Sequence, residues 1–519
     1  MTELSQKQIL ILDCQTTGMH PNTGHLLQIG WSIVDPRSFN DLHIEKWTLK
    51  LPHEAIIPPK IKRMLHLTEN ELQDSAEPQL VFESLQRVLA EVGPETIIIA
   101  HYAQFEKSFL KQFYLDHGQT ELNFNLICSQ KIAKRLLPHL PSHNLKAVAG
   151  FLKWPNTPKN EIYSHVSMTI HVWQHLQSKL LAANVGCYAS LGAWLNMKHP
   201  TKSALQYEYN IERLERLNLS TKPGIYHMLA QDKTILYIGK ATSLKARVNS
   251  YFRGVKNRDR RKLEMLAQVW DIETTECDTA LEAALLESDE IKKWEPPYNI
   301  LLKSDNRKLI FYNYDFTAFT ESKDNTFFNG PYKPHDSSMV LMELLHALKT
   351  HAAIEYGEEY ISPVQLKSAW RIFCAMHAIK SKDIEQLTMR TSFLIGYQLL
   401  KQFEAIHGKG SFQKWWATEK KKNLEDELVL EERIARKIAR ILIRAAETKR
   451  KVRMLTRLYN ASFVINSTQK KLTVINGELA NEISTLPLNN KLPPSFDIHH
   501  YDRLSILLSA LNNKTISLL

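Results

Sequence analysis

Residues 224–299 carry, in order, Gly224-Ile225-Tyr226, Tyr237-Ile238-Gly239-Lys240, Arg247, Glu287 and Pro297-Tyr298-Asn299. Hydrolysis of a phosphodiester needs an activated water, neutralisation of the charge growing on the phosphoryl oxygens and stabilisation of the leaving oxygen. The set offers a group for each need. A lone carboxylate, Glu287, can hold one hard divalent cation, Mg²⁺ or Mn²⁺, that keeps most of its waters. Tyr237 or Tyr226 can orient or deprotonate a water, and Arg247 and Lys240 can bind phosphate oxygens. For any one of these residues the ordinary alternative is a packing aromatic in a small sheet or one more helix glutamate; the weight lies in the set.

The elements that must position these groups are legible nearby. A strand GIYHMLA, a polar turn at Gln231-Asp232-Lys233 and a second strand TILYIGK predict a hairpin with one tyrosine on each arm. Helical spacing predicts one helix over residues 244–252, bearing Arg247, and another over 281–293, bearing Glu287.

The stretches KPGIYHMLAQDKTILYIGKATSLKARVNSYF and ALEAALLESDEIKKWEPPYNILLKSD resemble the GIY-YIG nuclease family, and by pattern the amino-terminal nuclease of UvrC excision-repair proteins. They cover roughly a fifth of the chain. The resemblance implies a metal-binding role for Glu287, a phosphate contact for Arg247, the lysine after the second triplet at Lys240, water activation by Tyr237 and a supporting role for Asn299. Damaged duplex DNA is the implied substrate, and proteins of the UvrA/UvrB type are the implied loading partners.

The first 180 residues form a second set of elements. Apolar, β-branched runs at residues 8–14, 27–35 and 96–101 predict strands, the last leading into a helix through Ala103-Gln104-Phe105-Glu106. Strands alternating with helices predict an α/β sheet. ILILDCQTTG, IIIAHYAQFEKSFL, RLLPHLPSHNL and YSHVSMTIHVWQHL resemble the DnaQ-like, DEDDh exonucleases, whose fold is related to ribonuclease H. That family holds two metal ions with four carboxylates and activates water with a histidine. Here Asp13 and His165 match, Gln15 stands for a glutamate, Glu106 for an aspartate and Ile170 for the last aspartate. Two charges hold two divalent ions poorly, so the domain is expected to be inactive, the alternative being weak binding of one metal by Asp13 and Glu106. His165 then reads as a structural histidine.

The expected organisation is α/β and α+β multidomain: a DnaQ-like, ribonuclease H-like domain at 1–184, a helical linker at 185–218 broken near 198–201, a small α+β GIY-YIG domain at 219–303 and a mostly helical region at 304–519. Arg253, Lys256, Arg258, Arg260, Arg261 and Lys262 lie within ten residues. They read either as a solvated face or as a phosphate-contacting loop. Phe328-Asn329-Gly330-Pro331-Tyr332 resembles the segment after the UvrC nuclease, with a helix expected at 338–348. Residues 363–406 and 424–459 are mostly helical by pattern, the second placing Arg433, Lys437, Arg440 and Arg444 beside an apolar stripe. That side reads as solvated or as a contact to the DNA backbone. A strand pair is expected at 461–466 and 472–475.

Composition narrows the class. The 519 residues are 44% apolar and 23% charged, an ordinary globular mixture. With 66 basic and 55 acidic residues the net charge is +11, which favours a polyanionic partner. Five scattered cysteines, without a CxxC pair, suggest reduced thiols in a cytosol and no zinc site. No secretory signal or membrane span is expected. No second nuclease domain is recognisable toward the carboxyl end, which resembles Cho, a UvrC-like protein that makes one incision. The expected function is single-strand nicking on the 3′ side of a lesion in bacterial excision repair, within the SOS response. The alternatives are a DNA-binding scaffold with two non-cutting nuclease folds, or a 3′–5′ exonuclease with residual activity.

Overall fold

The computed structural model describes residues 3–39, 43–93, 97–120, 122, 124–155, 162–198, 207–253, 259–303, 307–356, 359–380, 387–408, 412, 429–480 and 491–519. It divides into two compact units, Met1–Ile300 and Leu301–Leu519. The boundaries read from sequence at 184 and 218 thus fall inside the first unit, and the predicted break at 198–201 lies mostly outside the described residues.

In the first unit, β1 (Ile9–Thr16), β2 (Leu26–Val34), β3 (Glu45–Thr48), β4 (Ile97–Ala100) and β5 (Asn125–Cys128) form a sheet of order β3-β2-β1-β4-β5. The β1–β2 and β2–β3 pairs are antiparallel, whereas β1–β4 and β4–β5 are parallel. Eight helices accompany it: α1 (Pro59–Met64), α2 (Glu69–Gln73), α3 (Pro78–Val92), α4 (Ala103–Asp116), α5 (Ser129–Leu136), α6 (Leu145–Phe151), α7 (Ile162–Ala182) and α8 (Tyr188–Asn196). Because successive strand residues point to opposite faces, β1 feeds two cores. Leu10 and Leu12 join Val81, Phe82 and Leu85 of α3 and Leu110 of α4. Ile9 and Ile11 join Ile132 of α5, Val148 of α6 and Val166 and Trp173 of α7. Both faces are covered, which is why the strands read as unbroken apolar runs.

The same unit continues through α9 (Arg213–Leu217) into β6 (Gly224–Leu229), β7 (Ile235–Ala241), α10 (Leu244–Phe252), α11 (Arg260–Gln268), β8 (Asp271–Glu276) and α12 (Ala280–Trp294). The sheet order is β7-β6-β8, antiparallel throughout. Ser243 caps α10, and Thr279 with Glu282 closes a capping box on α12, the local signals that start each helix where it must begin. At its other end, Glu295 takes a left-handed conformation before Pro296-Pro297, which stops the helix. The two α/β parts are docked: α11 packs on α6, and the Trp270 indole N–H donates to Gly150 O at 2.8 Å.

The second unit is built on the 29-residue helix Leu430–Leu458. Ile434, Ile438, Leu442 and Ala445 pack with Phe373 and Trp370 of Pro363–Met376 and with Phe393 and Leu400 of Met389–His407. Small sheets supplement the helices, among them a four-stranded one in which Ala461–Ile465 pairs with Lys471–Ile475 and Ile516–Leu518. Asn329–Tyr332, from the Gly-Pro-aromatic segment, pairs with Ile310–Tyr312, and the helix after it runs Ser337–Thr350. Among the described residues no helix is long and apolar enough to cross a membrane.

Candidate active site

Strand pairing sets Tyr226 on β6 directly opposite Gly239 on β7. A methyl group on Gly239 would lie 2.3 Å from the Tyr226 hydroxyl oxygen and 2.9 Å from a Tyr237 ring carbon, so only glycine lets the two tyrosines of the hairpin converge. Gly224 meets the same demand on the other side, where a Cβ would sit 2.2 Å from Thr275 O of β8. The tyrosine of the first triplet is fully buried, and its hydroxyl hydrogen-bonds the Tyr251 hydroxyl at 3.0 Å. Tyr237 is half-buried, its ring centroid 6.2 Å from that of Tyr226 and 6.3 Å from that of Tyr251.

Arg247 lies one helical turn before Tyr251 on α10 and reaches its hydroxyl at 3.4 Å with the guanidinium 5.2 Å above the ring. Tyr251 was not singled out in the sequence; its signal was the i+4 spacing from Arg247. Burial, and then the neighbouring Tyr251 hydroxyl, push the Tyr237 and Tyr226 phenols above their ordinary range. Both therefore hold their protons at neutral pH. Tyr237 also feels the charges of Glu287 and Arg247, one raising and one lowering its affinity for a proton.

Glu287 projects from α12 and is 8% exposed. One carboxylate oxygen accepts the Lys240 backbone N–H at 3.0 Å, and the other accepts the Lys240 ammonium. The lysine side chain is about half exposed, and the backbone bond also holds the carboxylate. Among the described residues no group of three or more His, Cys, Asp or Glu side chains is placed to hold a metal ion. A single hard oxygen donor fits a hydrated divalent cation rather than a fully protein-ligated one.

Asn299 plays a different part from the other members. It is buried, accepts the Ile238 N–H at 3.0 Å and donates to Ile238 O at 2.9 Å. With Tyr298 N–H donating to Leu236 O at 3.1 Å, the Pro-Tyr-Asn segment grips the outer edge of β7. The Tyr298 hydroxyl donates to Glu264 of α11 at 2.6 Å.

In the exonuclease-like part, Asp13 and Gln15 sit two apart on β1 and are buried, as is Glu106 in the first turn of α4. His165 of α7 meets Asp13 Oδ2 through Nδ1 at 3.1 Å. Burial, and then the Asp13 charge, drive the Glu106 carboxyl well above the usual range. Ile170 packs in the apolar core with Val166 and Trp173. His101 was missed from the sequence: it is buried between Ser129 Oγ (3.0 Å) and His143 O (2.9 Å), and burial lowers its pKa to about 4.

The basic run is only partly a loop. Lys256 and Arg258 lie outside the described residues, and Arg260, Arg261 and Lys262 form the first turn of α11, capped by Asp259. Arg261 donates to Pro297 O at 2.7 Å, tying that turn to the Pro-Tyr-Asn segment. The helix Leu430–Leu458 also departs from expectation: it is the centre of its unit, with Arg433, Lys437 and Arg440 partly buried, so these three do not form a freely solvated face; Arg444 remains exposed.

Residues 222–300 match the UvrC-like GIY-YIG domain family, so this segment is a UvrC-like GIY-YIG domain. The chain is 26% identical over 254 residues, 49% of its length, to a Mycobacterium tuberculosis protein named as a bifunctional exonuclease/endonuclease, covering 37% of that protein. It is 42% identical over 106 residues, 20% of its length, to the UvrABC system protein C of Caldanaerobacter subterraneus, covering 16% of it. The matches thus span well under half of these relatives. Among solved structures, the amino-terminal GIY-YIG endonuclease domain of Thermotoga maritima UvrC, bound to magnesium, is similar at 30% identity over 17% of this chain and 94% of that one, with a TM-score of 0.16.

Proposed function

We propose that this protein is a metal-dependent DNA endonuclease of the UvrC/Cho type, which nicks one strand on the 3′ side of a lesion during nucleotide excision repair. The observation that carries the reading is the convergence of Glu287, paired with Lys240, and of Arg247 on the half-buried Tyr237 phenol. Glu287, with its carboxylate pinned by the Lys240 backbone, would hold Mg²⁺ or Mn²⁺ once the Lys240 ammonium moves aside. Such a cation supplies charge neutralisation at phosphoryl oxygens and a more acidic water.

This chain's own groups do the rest. Arg247 and the displaced Lys240 bind non-bridging phosphate oxygens. The half-exposed Tyr237 hydroxyl orients the attacking water. The fully enclosed Tyr226 holds Tyr251, which in turn positions Arg247. Asn299 keeps β7, and with it Tyr237 and Lys240, in register.

For the exonuclease-like part we infer a ribonuclease H-like fold, supported by the sheet order and strand directions, and no exonuclease chemistry. Two-metal catalysis needs a cluster of charged carboxylates, and with Gln15 and Ile170 in place of two of them Asp13 and Glu106 do not provide one. UvrA/UvrB-type loading and a cytoplasmic location belong to the same proposal, by resemblance to UvrC proteins. The test is nicking of supercoiled plasmid, damaged and undamaged, with and without Mg²⁺ or Mn²⁺.

A further inference from the structure

Helix α10 has two faces with different neighbours. Arg247 and Tyr251 face the tyrosine cluster, whereas Asn249 and Phe252 line a cleft of about 610 Å³ between this helix and residues 207–217. In the cleft wall is Arg216, only 9% exposed, with its Nε atom lacking a hydrogen-bond partner. Its guanidinium lies 4.0 Å over the Phe252 ring, and its carbonyl accepts the Asn249 amide at 2.8 Å. Among the described residues no carboxylate pairs with this buried cation; Glu212 is the one acidic side chain in the lining, and Arg213 and Arg253 add like charge at the rim. A largely buried guanidinium with an unpartnered N–H and no carboxylate partner among the described residues favours an anion as its ligand. Beside it stand aromatic rings at right angles, Tyr207 to Tyr209 at 6.5 Å and Tyr209 to Phe252 at 4.8 Å.

An anion seat flanked by aromatic faces matches a phosphate joined to a planar base. We propose that the cleft binds a nucleoside phosphate, its phosphate on Arg216 and Arg213 and its base against Tyr207 and Phe252. The ligand is either an unstacked nucleotide of a DNA strand that also passes the other face of α10 or a free mononucleotide. Only the first source rests on the nuclease reading.

The test uses the full chain in EDTA, so that no cutting intervenes. A 12-residue oligothymidylate carrying 5-iododeoxyuridine is photo-crosslinked and the adduct mapped by mass spectrometry, in parallel with 5-iododeoxyuridine monophosphate. The expected adduct is on Tyr207, Tyr209 or Phe252; from the oligonucleotide it identifies the strand as source, from the monophosphate alone the free nucleotide. In fluorescence anisotropy, Tyr207→Ala is expected to weaken binding of the crosslinking ligand roughly fivefold or more. With the oligonucleotide, Arg213→Ala should lower the slope of log affinity against log salt by about 1. Both side chains lie at the rim, so these variants keep the fold, which an unchanged melting temperature checks. Arg216→Met, which preserves the stacked shape, should weaken binding at least as much as Arg213→Ala. Adducts only outside these residues, with affinities unchanged in the variants, would overturn the proposal. Binding here is read without Mg²⁺, so a failure of Glu287→Gln to slow nicking would sink the nuclease reading and leave the cleft standing.

Discussion

Replacing Asn299 by alanine separates a residue that meets DNA from one that holds the strand meeting it. The side chain makes two hydrogen bonds, both to Ile238 backbone atoms in the buried edge of β7, at 3.0 and 2.9 Å. Alanine would leave one N–H and one C=O without partners in the interior, each costing about 1–3 kcal/mol, or about 2–6 kcal/mol together. For a unit of some three hundred residues, at about 2 °C per kcal/mol, the melting temperature should fall by roughly 4–12 °C. Circular dichroism gives the melting curve, and nicking is then measured well below the new midpoint and normalised to folded protein. The account expects stability to fall by this amount and nicking per folded molecule to survive within about tenfold of wild type. A melting temperature within 1 °C of wild type together with abolished nicking would refute the clamp and place Asn299 in contact with the substrate.

Gly239→Ala should cost about 1–3 kcal/mol by overpacking and spread the two tyrosines, seen as a lowered melting point and an altered near-ultraviolet tyrosine signal; an unchanged signal would contradict the packing described. With its folded pKa near 4 and an ordinary value of 6.5, buried His101 takes up a proton in the unfolded chain first. Its contribution is complete above about pH 6.5 and is lost as pH falls toward about 4, by roughly 3 kcal/mol. Urea midpoints at pH 7 and pH 4.5 should therefore differ less in His101→Gln than in wild type. The full chain carrying Glu287→Gln should not shorten 5′-labelled single-stranded DNA from its 3′ end; a ladder abolished by a further Asp13→Ala would show that the exonuclease-like site works. Arg260→Ala should reduce the salt slope of DNA binding by about 1 without changing melting; an unaltered slope would show that this turn touches no phosphate.

The strands and helices that carry the chemistry were plain in the sequence because each is marked locally. Residues 244–252 and 281–293 read as helices from their spacing, and they run Leu244–Phe252 and Ala280–Trp294. The long apolar runs at 8–14 and 27–35 became Ile9–Thr16 and Leu26–Val34 for the same reason. What the sequence concealed depends on partners far apart in the chain. That Asn299 turns inward to Ile238, 61 residues away, is a tertiary fact, and so is the packing of α11 on α6. The partial burial of Arg433, Lys437 and Arg440 on Leu430–Leu458 was not legible because amphipathic periodicity shows which side is apolar without showing how many neighbours surround the helix. Arg216 was invisible as a candidate because its burial comes from Phe252 on another helix.

The most direct measurement is the nicking rate of Glu287→Gln on ultraviolet-irradiated supercoiled plasmid in Mg²⁺, with UvrA/UvrB-type proteins present, alongside wild type and at matched melting temperature. The substitution keeps shape and an acceptor for the Lys240 N–H while removing the carboxylate charge offered to a cation. The account predicts that wild type nicks in a metal-dependent manner and that the variant is slower by about a hundredfold or more. Equal rates for the two proteins would contradict the assignment of this site.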